Sequence, residues 1–567
     1  MEKTIVRIPS DVTYLSTYIE DLPHNCIFDK GKTGAGGTYI AITNDEPYII
    51  AVPFLSLIEN KVQQHPNMLG VHGKIKDKTI KDYLKSDVYP KKIMVTYDSL
   101  CRVTALINPK EYRLLVDEYH LLFTSYSFRY EAVRCVLDTY NNYKSYCFMT
   151  ATVLEKDFIL TELNHIPIVE YQWETVKEVT VNSLKCTHSV VPTVSNIITQ
   201  YLTGRIEGNA HFFVNSVDFI AEMIKLHNLT NENTKAIWST YNKTKLSLTN
   251  SLTTDAPKKI NFYTSKCFEG VDLKDTEGRI YIISDKSKAH TMVDISTSIQ
   301  QICGRLRDTK FAQDIFHIYT TTRYDVELNY EQYKASTSVG VEEALVDTVQ
   351  LNNLTERIRL KIVLSEEGYV SKRKDLFIFD ENLVKIDLYN YKITKHLYRL
   401  RINLTKEYQK VGYIVNNDIH QDYKNLVKEK FQLSNYFKET VLECKEGDAD
   451  YLLWATTKYD FLPDAIKYLG YERIETMEYN IQRIKKALLP YSHKSVNDKV
   501  RILLEQRKEI YQGGFITNEN LKQIFADIYK ELEVSKTPKS SDIKEYYKIK
   551  PHQKFINKEK KNGVVIL

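Results

Sequence analysis

Over the first 345 residues or so, short apolar runs alternate with helix-length segments. The runs are Cys26–Phe28, Tyr48–Val52, Ile93–Thr96, Arg113–Val116, Tyr146–Met149, Ala210–Val214, Lys259–Tyr263, Arg279–Ser284 and Asp314–Tyr319. Several are β-branched or aromatic. That rhythm predicts α/β units with parallel sheets. The rhythm breaks near residues 171–195, where YQWETVKEVTVNSLKCTHSVVPT turns Thr/Val-rich before a fresh series begins. From about residue 346 the apolar spacing becomes helical, as in LNNLTERIRLKIVL and YNIQRIKKALL. The expectation is an α/β protein: two parallel-sheet lobes over 1–175 and 176–345, a mainly helical accessory domain over 346–535, and a C-terminal segment 536–567. No internal repeat or low-complexity linker interrupts this order.

Composition adds little until the charge is divided. With 567 residues, 43% apolar and 27% charged, the chain has ample material for several cores and is not disordered as a whole. The longest apolar stretch, Tyr48 to Ile58, contains Pro53 and is too short to cross a bilayer, and the N-terminus has no continuous apolar segment of signal-peptide type. A cytoplasmic protein with no membrane partner is expected. The eight cysteines are scattered with no CxxC pair, so reduced structural thiols are expected. Net charge is +5, and Lys536 to Lys561 alone holds nine lysines against three acids. The basic excess therefore sits in the tail, where Tyr546, Tyr547 and Phe555 interleave with the lysines. This mixture suits phosphate contact and base stacking, and equally a solvated tail.

Four constellations carry chemistry. The first is Lys30, Gly31, Lys32, Thr33, Gly34, Ala35, Gly36, Gly37 and Thr38, lying between a strand and an expected helix. Such a loop can aim several backbone amides at one anion. It matches the phosphate-loop pattern GxxxxGK[ST] except that Gly37 stands where the lysine belongs. Lys32 is the first candidate to supply the missing cation and Lys30 the second. Read alone, the loop is also consistent with a tight connection. The second is RLLVDEYH, which puts Asp117 and Glu118 at the carboxyl end of a strand, where open α/β sheets bind ligands. Asp117 suits Mg²⁺ and Glu118 suits activation of a water, though any strand can end in acids. The third is FMTAT, with Thr150 and Thr152 at the next strand end. The fourth is QQICGRLRD, with Gln301, Arg305 and Arg307 in the second lobe, where arginines can stabilise a transferring phosphoryl group or simply face solvent.

The ordered set GKTGAGGT, DEYH, TAT and QICGRLR resembles the superfamily 2 helicases and translocases of the DExH type. AVPFLSLIENK, VTYDSL, FFVNS and YTSKCFEGVDL are similar to that family's intervening motifs and fall in the same order over roughly residues 20–325. Lys32 also occupies the place of the extra lysine in the deviant loops of ParA- and MinD-like ATPases. The resemblance implies two RecA-like lobes with ATP and Mg²⁺ in the cleft. Thr38 and Asp117 would hold the metal, Glu118 would be the catalytic base, Arg305 and Arg307 would face the phosphates with Gln301 beside them, and Gly270 and Asp272 would sense nucleotide. Thr96, Ser99, Asn215, Ser216, Thr264 and Ser265 would grip single-stranded or duplex nucleic acid by its backbone. The sequence departs from the family at Gly37 and at Asp308, where a further arginine is common. The implied function is an ATP-dependent helicase or translocase. Abundant Lys, Asn, Ile and Tyr point to an AT-rich source, such as a phage or mobile element, and hence to DNA over RNA, in replication or repair. Replication proteins would be partners through the C-terminal region. The alternatives are a catalytically weakened scaffold subunit and an ATPase that remodels protein partners.

Overall fold

A computed structural model describes the chain apart from residues 1, 177, 240–245, 323–327, 365–367, 418–435, 447–451, 453–454, 457–458, 492–494 and 557–558. Residues 1–434 form one compact unit and 435–567 another. Eight strands build the first sheet: β1 (Lys3–Ile8), β2 (Cys26–Asp29), β3 (Tyr48–Val52), β4 (Leu69–Val71), β5 (Lys92–Thr96), β6 (Arg113–Asp117), β7 (Ser145–Thr150) and β8 (Ile168–Trp173). Their order is β1-β8-β2-β7-β6-β3-β5-β4, and every pair is parallel. β3 and β5 are buried along their whole length, so the continuous apolar runs are sheet interior covered on both faces.

The second lobe contains β9 (Thr180–Cys186), β10 (Asn209–Phe213), β11 (Thr234–Ile237), β12 (Ile260–Tyr263), β13 (Leu273–Lys274), β14 (Gly278–Ser284), β15 (Leu306–Arg307) and β16 (Asp314–Thr320). β13 and β15 pair with each other outside the main sheet. Beyond them come an antiparallel hairpin, β17 (Val370–Arg373) with β18 (Leu376–Phe379), and then β19 (Ile414–Asn416). The main sheet runs β11-β12-β10-β14-β16-β9-β19, again all parallel. Local signals set its helices. Ser216 caps helix Val217–His227 by accepting from the Phe219 amide at 3.2 Å, and Asn228 ends it at φ 50°. The fold is thus the expected α/β arrangement of two RecA-like parallel-sheet lobes followed by a mainly helical region.

Three details differ from the sequence reading. Helix Tyr330–Asn352 begins before residue 345, started by a capping box of Asn329 and Gln332. The helices that follow it as far as Arg401–Lys410 belong to the first unit. Asp380 accepts from Tyr126 of the first lobe at 2.9 Å and Asp294 of the second lobe accepts from Tyr389 at 2.8 Å, while β19 completes the second sheet. Cys101 and Cys135 form a disulfide, their Cα atoms 5.6 Å apart, because helices Tyr97–Thr104 and Tyr130–Thr139 pack side by side. The other six cysteines are free thiols, as expected for all eight.

The second unit contains helices Leu462–Thr476, Ile481–Ala487, Val496–Glu505 and Asn518–Glu531, with a sheet of β20 (Phe515–Thr517), β21 (Ile549–Ile556) and β22 (Glu559–Ile566). The basic segment 536–567 is not a detached tail. Ile543, Val564 and Ile566 are buried with Leu503, Leu521, Phe525 and Ile528, and β22 pairs with β20. Those apolar residues, spaced among the lysines, anchor it. Among the described residues, no helix is long and apolar enough to cross a membrane.

Candidate functional site

Strand order gathers the first site. β2, β7 and β6 are adjacent, and their carboxyl ends carry the glycine loop, Thr150 and the Asp117–Glu118 pair. Parallel sheets present ligand sites at that edge. The loop runs from Lys30 to helix Gly37–Thr43 with Gly31, Gly34 and Gly36 at positive φ. Thr38 Oγ1 donates to Asp117 Oδ2 at 2.7 Å. Two hard oxygen donors therefore meet beside the loop. Among the described residues no group of three or more His, Cys, Asp or Glu gathers as a metal cluster.

The two candidate lysines part company. Lys32 places Nζ 3.5 Å over the Trp173 ring on β8. Lys30 is buried and directs Nζ to Glu118 Oε1 at 3.7 Å. Its backbone is fixed on both sides: the Lys30 amide donates to Thr150 O, and its carbonyl accepts from Trp173 Nε1 at 2.8 Å. Gly37 packs so closely on Met149 that a Cβ there would overlap the Met149 Sδ. Lys30 Cδ lies 3.8 Å from that same Cβ position. The lysine stem thus runs alongside the place where the loop's missing lysine would begin.

The second lobe closes on this loop. A Cβ on Gly304 would overlap Thr33 Oγ1, and a Cβ on Gly34 would stand 2.9 Å from the Arg307 guanidinium. Asp272 holds Arg307 by accepting from Nε at 3.0 Å. Gly270, at φ 70°, packs against Leu57 of the first lobe. Arg305 is placed differently from Arg307. It is buried and donates to Gln301 O at 2.8 Å, to Gln301 Oε1 at 3.1 Å and to Val271 O at 3.3 Å. Gln301 Nε2 in turn donates to Glu118 Oε2 at 3.0 Å and Thr152 Oγ1 at 3.3 Å. Arg305 is therefore linked to Glu118 through Gln301, and Arg307 is the arginine beside the loop.

Burial pushes the Glu118 carboxyl up, but Lys30, His120 and Arg305 together hold it below the usual glutamate range. Asp117 is raised, chiefly by burial. Glu118 also has a left-handed backbone, φ 51°, unusual for a residue with a side chain. His120 is enclosed: Nδ1 lies 2.9 Å from Thr150 Oγ1 and Nε2 3.3 Å from Glu269 Oε1. Burial lowers its pKa, but Glu269 and Glu118 raise it above the ordinary histidine value.

A second cavity, of about 840 Å³, lies between the lobes. It brings together Asn215, Ser216, Thr264 and Ser265, because β10 and β12 are neighbours that end together. Thr96 and Ser99 do not line it; both are buried at the start of helix Tyr97–Thr104. Phe54, Phe128, Arg129 and Lys266 also face it, and sequence reasoning passed over all four. Phe54, inside AVPFLSLIENK, and Lys266, inside YTSKCFEGVDL, had a motif to mark them. Glu269 lines this cavity and touches His120, so one carboxylate joins the two sites.

No protein-family model matches the chain, and no curated protein sequence does. Among solved structures it is similar to the Mycobacterium smegmatis helicase Lhr bound to ssDNA and AMP-PNP, with 12% identity and a TM-score of 0.36 over 53% of this chain and 44% of that one. It is also similar to S. cerevisiae Dbp5 bound to RNA and ADP BeF3, with 12% identity and a TM-score of 0.36 over 55% of this chain and 83% of that one. The chain spans less than half the length of Lhr.

Proposed function

We propose that the protein is an ATP-driven helicase or translocase on nucleic acid, with its hydrolytic site between the two RecA-like lobes. The observation that carries this reading is the convergence of both lobes on Glu118 and the glycine loop, by Gln301 and Arg307 from one side and Lys30 from the other. The loop amides and the two cations suit a polyphosphate, one cation per lobe, so binding draws the lobes together. Glu118, kept ionised by its basic neighbours, orients and deprotonates the attacking water. Thr38 and Asp117 are the donors that would hold Mg²⁺; their oxygen chemistry fits, and a cation there relieves the buried Asp117 charge. When bound, the ion supplies neutralisation of phosphate charge. Arg305 and Gln301 position Glu118.

The second cavity suits a nucleic-acid backbone, with hydroxyls and amides on one wall and Arg129 and Phe128 on the other. Closing and opening around ATP would shift the grip of the two lobes along the strand. On composition we take the polymer to be DNA, in replication or repair of an AT-rich phage or mobile element. The test is ATP hydrolysis with and without single-stranded DNA or RNA, using Glu118→Gln as control. Stimulation that disappears in the variant is expected. Turnover that ignores nucleic acid, or survives in Glu118→Gln, overturns the reading.

A further inference from the structure

The β21–β22 ribbon is left unexplained by the packing of the second unit. Every residue from Lys550 to Phe555 is exposed, and on the partner strand Glu559, Lys560 and Asn562 are exposed while Val564 and Ile566 reach the core, so the outer part of the ribbon stands clear of the core. β20 reaches only its base, pairing Phe515 with Val565, Ile516 with Val564 and Thr517 with Gly563. A two-stranded extension of this kind adds little stability of its own. It carries Lys550, Lys554, Lys560 and Lys561 against the single acid Glu559, and Phe555 is 72% exposed. The register sets Lys554 opposite Lys561. Like charges in that relation destabilise a strand pair unless an anion lies between them. Lys550, Lys554 and Lys560 form no ion pair among the described residues, and Lys561 makes only exposed ones, 3.8 Å to Glu519 and 3.5 Å to Glu559.

We propose that this ribbon is a binding arm for duplex DNA, lying in the major groove with these four strand lysines on the flanking phosphates. Two strands about 4.8 Å apart fit a B-form major groove about 12 Å wide, whereas the A-form groove of duplex RNA is too narrow for side chains to enter. The exposed part of β21 spans roughly 20 Å at about 3.4 Å per residue, sufficient to lie across the groove. Phe555, near the outer end, supplies an apolar surface of the kind that contacts thymine methyl groups. This arm shares no residue with the cavity between the lobes and stands independently of the ATPase reading.

The test uses the full chain with K550Q, K554Q, K560Q and K561Q combined, and a second variant with arginine at the same four positions. Binding to a 20-base-pair DNA duplex, the matching RNA duplex and a single strand is followed across salt concentration. The glutamine variant is expected to lose about 3 to 4 from the slope of log K against log salt on duplex DNA, at about 0.9 per phosphate contact. The arginine variant keeps the slope, and single-strand binding is unaffected in both. An unchanged duplex-DNA slope, equal losses on both duplexes, or loss in the arginine variant overturns the proposal. Single-strand-stimulated ATPase activity reports on the other site and is expected to survive in both variants.

Discussion

Lys30 and Lys32 lie two residues apart, and their side chains are placed differently, one against Glu118 and the other over Trp173. Lys30→Ala removes a buried cation whose stem lies 3.8 Å from the Cβ position of Gly37 and whose Nζ lies 3.7 Å from Glu118. A unit charge about 4 Å from a phosphate oxygen, at an effective dielectric of about 20, is worth about 4 kcal/mol. Part of that attraction is already present with bound substrate, so we expect kcat to fall by about 10²–10³, or about 3–4 kcal/mol. Lys30 is also the strongest charge holding Glu118 ionised. Glu118 works as a carboxylate, so activity is present above its depressed pKa and lost as pH falls through it. Removing Lys30 raises that pKa, and the acid limb of the rate profile moves to higher pH. Lys32→Ala loses a cation–π contact worth about 0.5–2 kcal/mol, a stability effect that leaves kcat within about fivefold. The assay is phosphate release at saturating ATP and single-stranded nucleic acid, from pH 5 to 9, with thermal melting to check folding. Near-wild-type turnover in Lys30→Ala, or a larger loss in Lys32→Ala, would refute the assignment.

Two further outcomes follow from the same geometry. Arg307→Ala should lower kcat by about 10³ or more while sparing nucleotide affinity, and Arg307→Lys should recover only part of the loss because the planar fork is gone; parallel losses in single-turnover hydrolysis and nucleotide binding would count against it. Glu269→Gln should cut nucleic-acid stimulation by about tenfold, a coupling of about 1.4 kcal/mol. Because Glu269 raises the His120 pKa, the protonated link is present below that value and lost as pH rises through it. Stimulation should therefore fade at lower pH in Glu269→Gln than in wild type, and superimposed alkaline limbs would disprove the link.

What the sequence displays is what the sheets bury. The runs YIIAV and KIMVT show no alternation because both faces of β3 and β5 are covered, and the inner strands β6, β10, β12, β14 and β16 are buried at all but one residue or throughout. The spacing of the glycine loop, DEYH and TAT also survives as three adjacent strand ends. The sequence reading ranked Lys32 ahead of Lys30 because what separates them depends on β8. That strand comes after residue 167 but packs beside β2, where Trp173 takes one lysine and fixes the backbone of the other. Arg305 and Arg307 likewise differ through Gln301, which no spacing rule separates. The lysine-rich C-terminal segment hid its strands because lysine dominates the composition, while only a few apolar residues anchor the fold.

The substitution at Gly37 becomes intelligible once Met149 is considered. A side chain at position 37 meets Met149 on β7, so the helix start has no room for the usual lysine. Carried instead on the residue after β2, the cation is held by the sheet, next to the strand ends that bear Thr150 and Glu118. Under the proposed function one amine then serves two anions. It balances Glu118 in this arrangement, and a polyphosphate in the loop would compete for it. The competition sets a sign: nucleotide that draws Lys30 away leaves Glu118 with less stabilisation and a higher pKa, a stronger base for the water it activates. The acid limb of kcat, which reports the nucleotide-bound enzyme, should therefore lie at higher pH than the acid limb of kcat/KM, which reports the free enzyme. In Lys30→Ala the two limbs should coincide. A wild-type protein whose limbs already coincide would show that Lys30 never leaves Glu118.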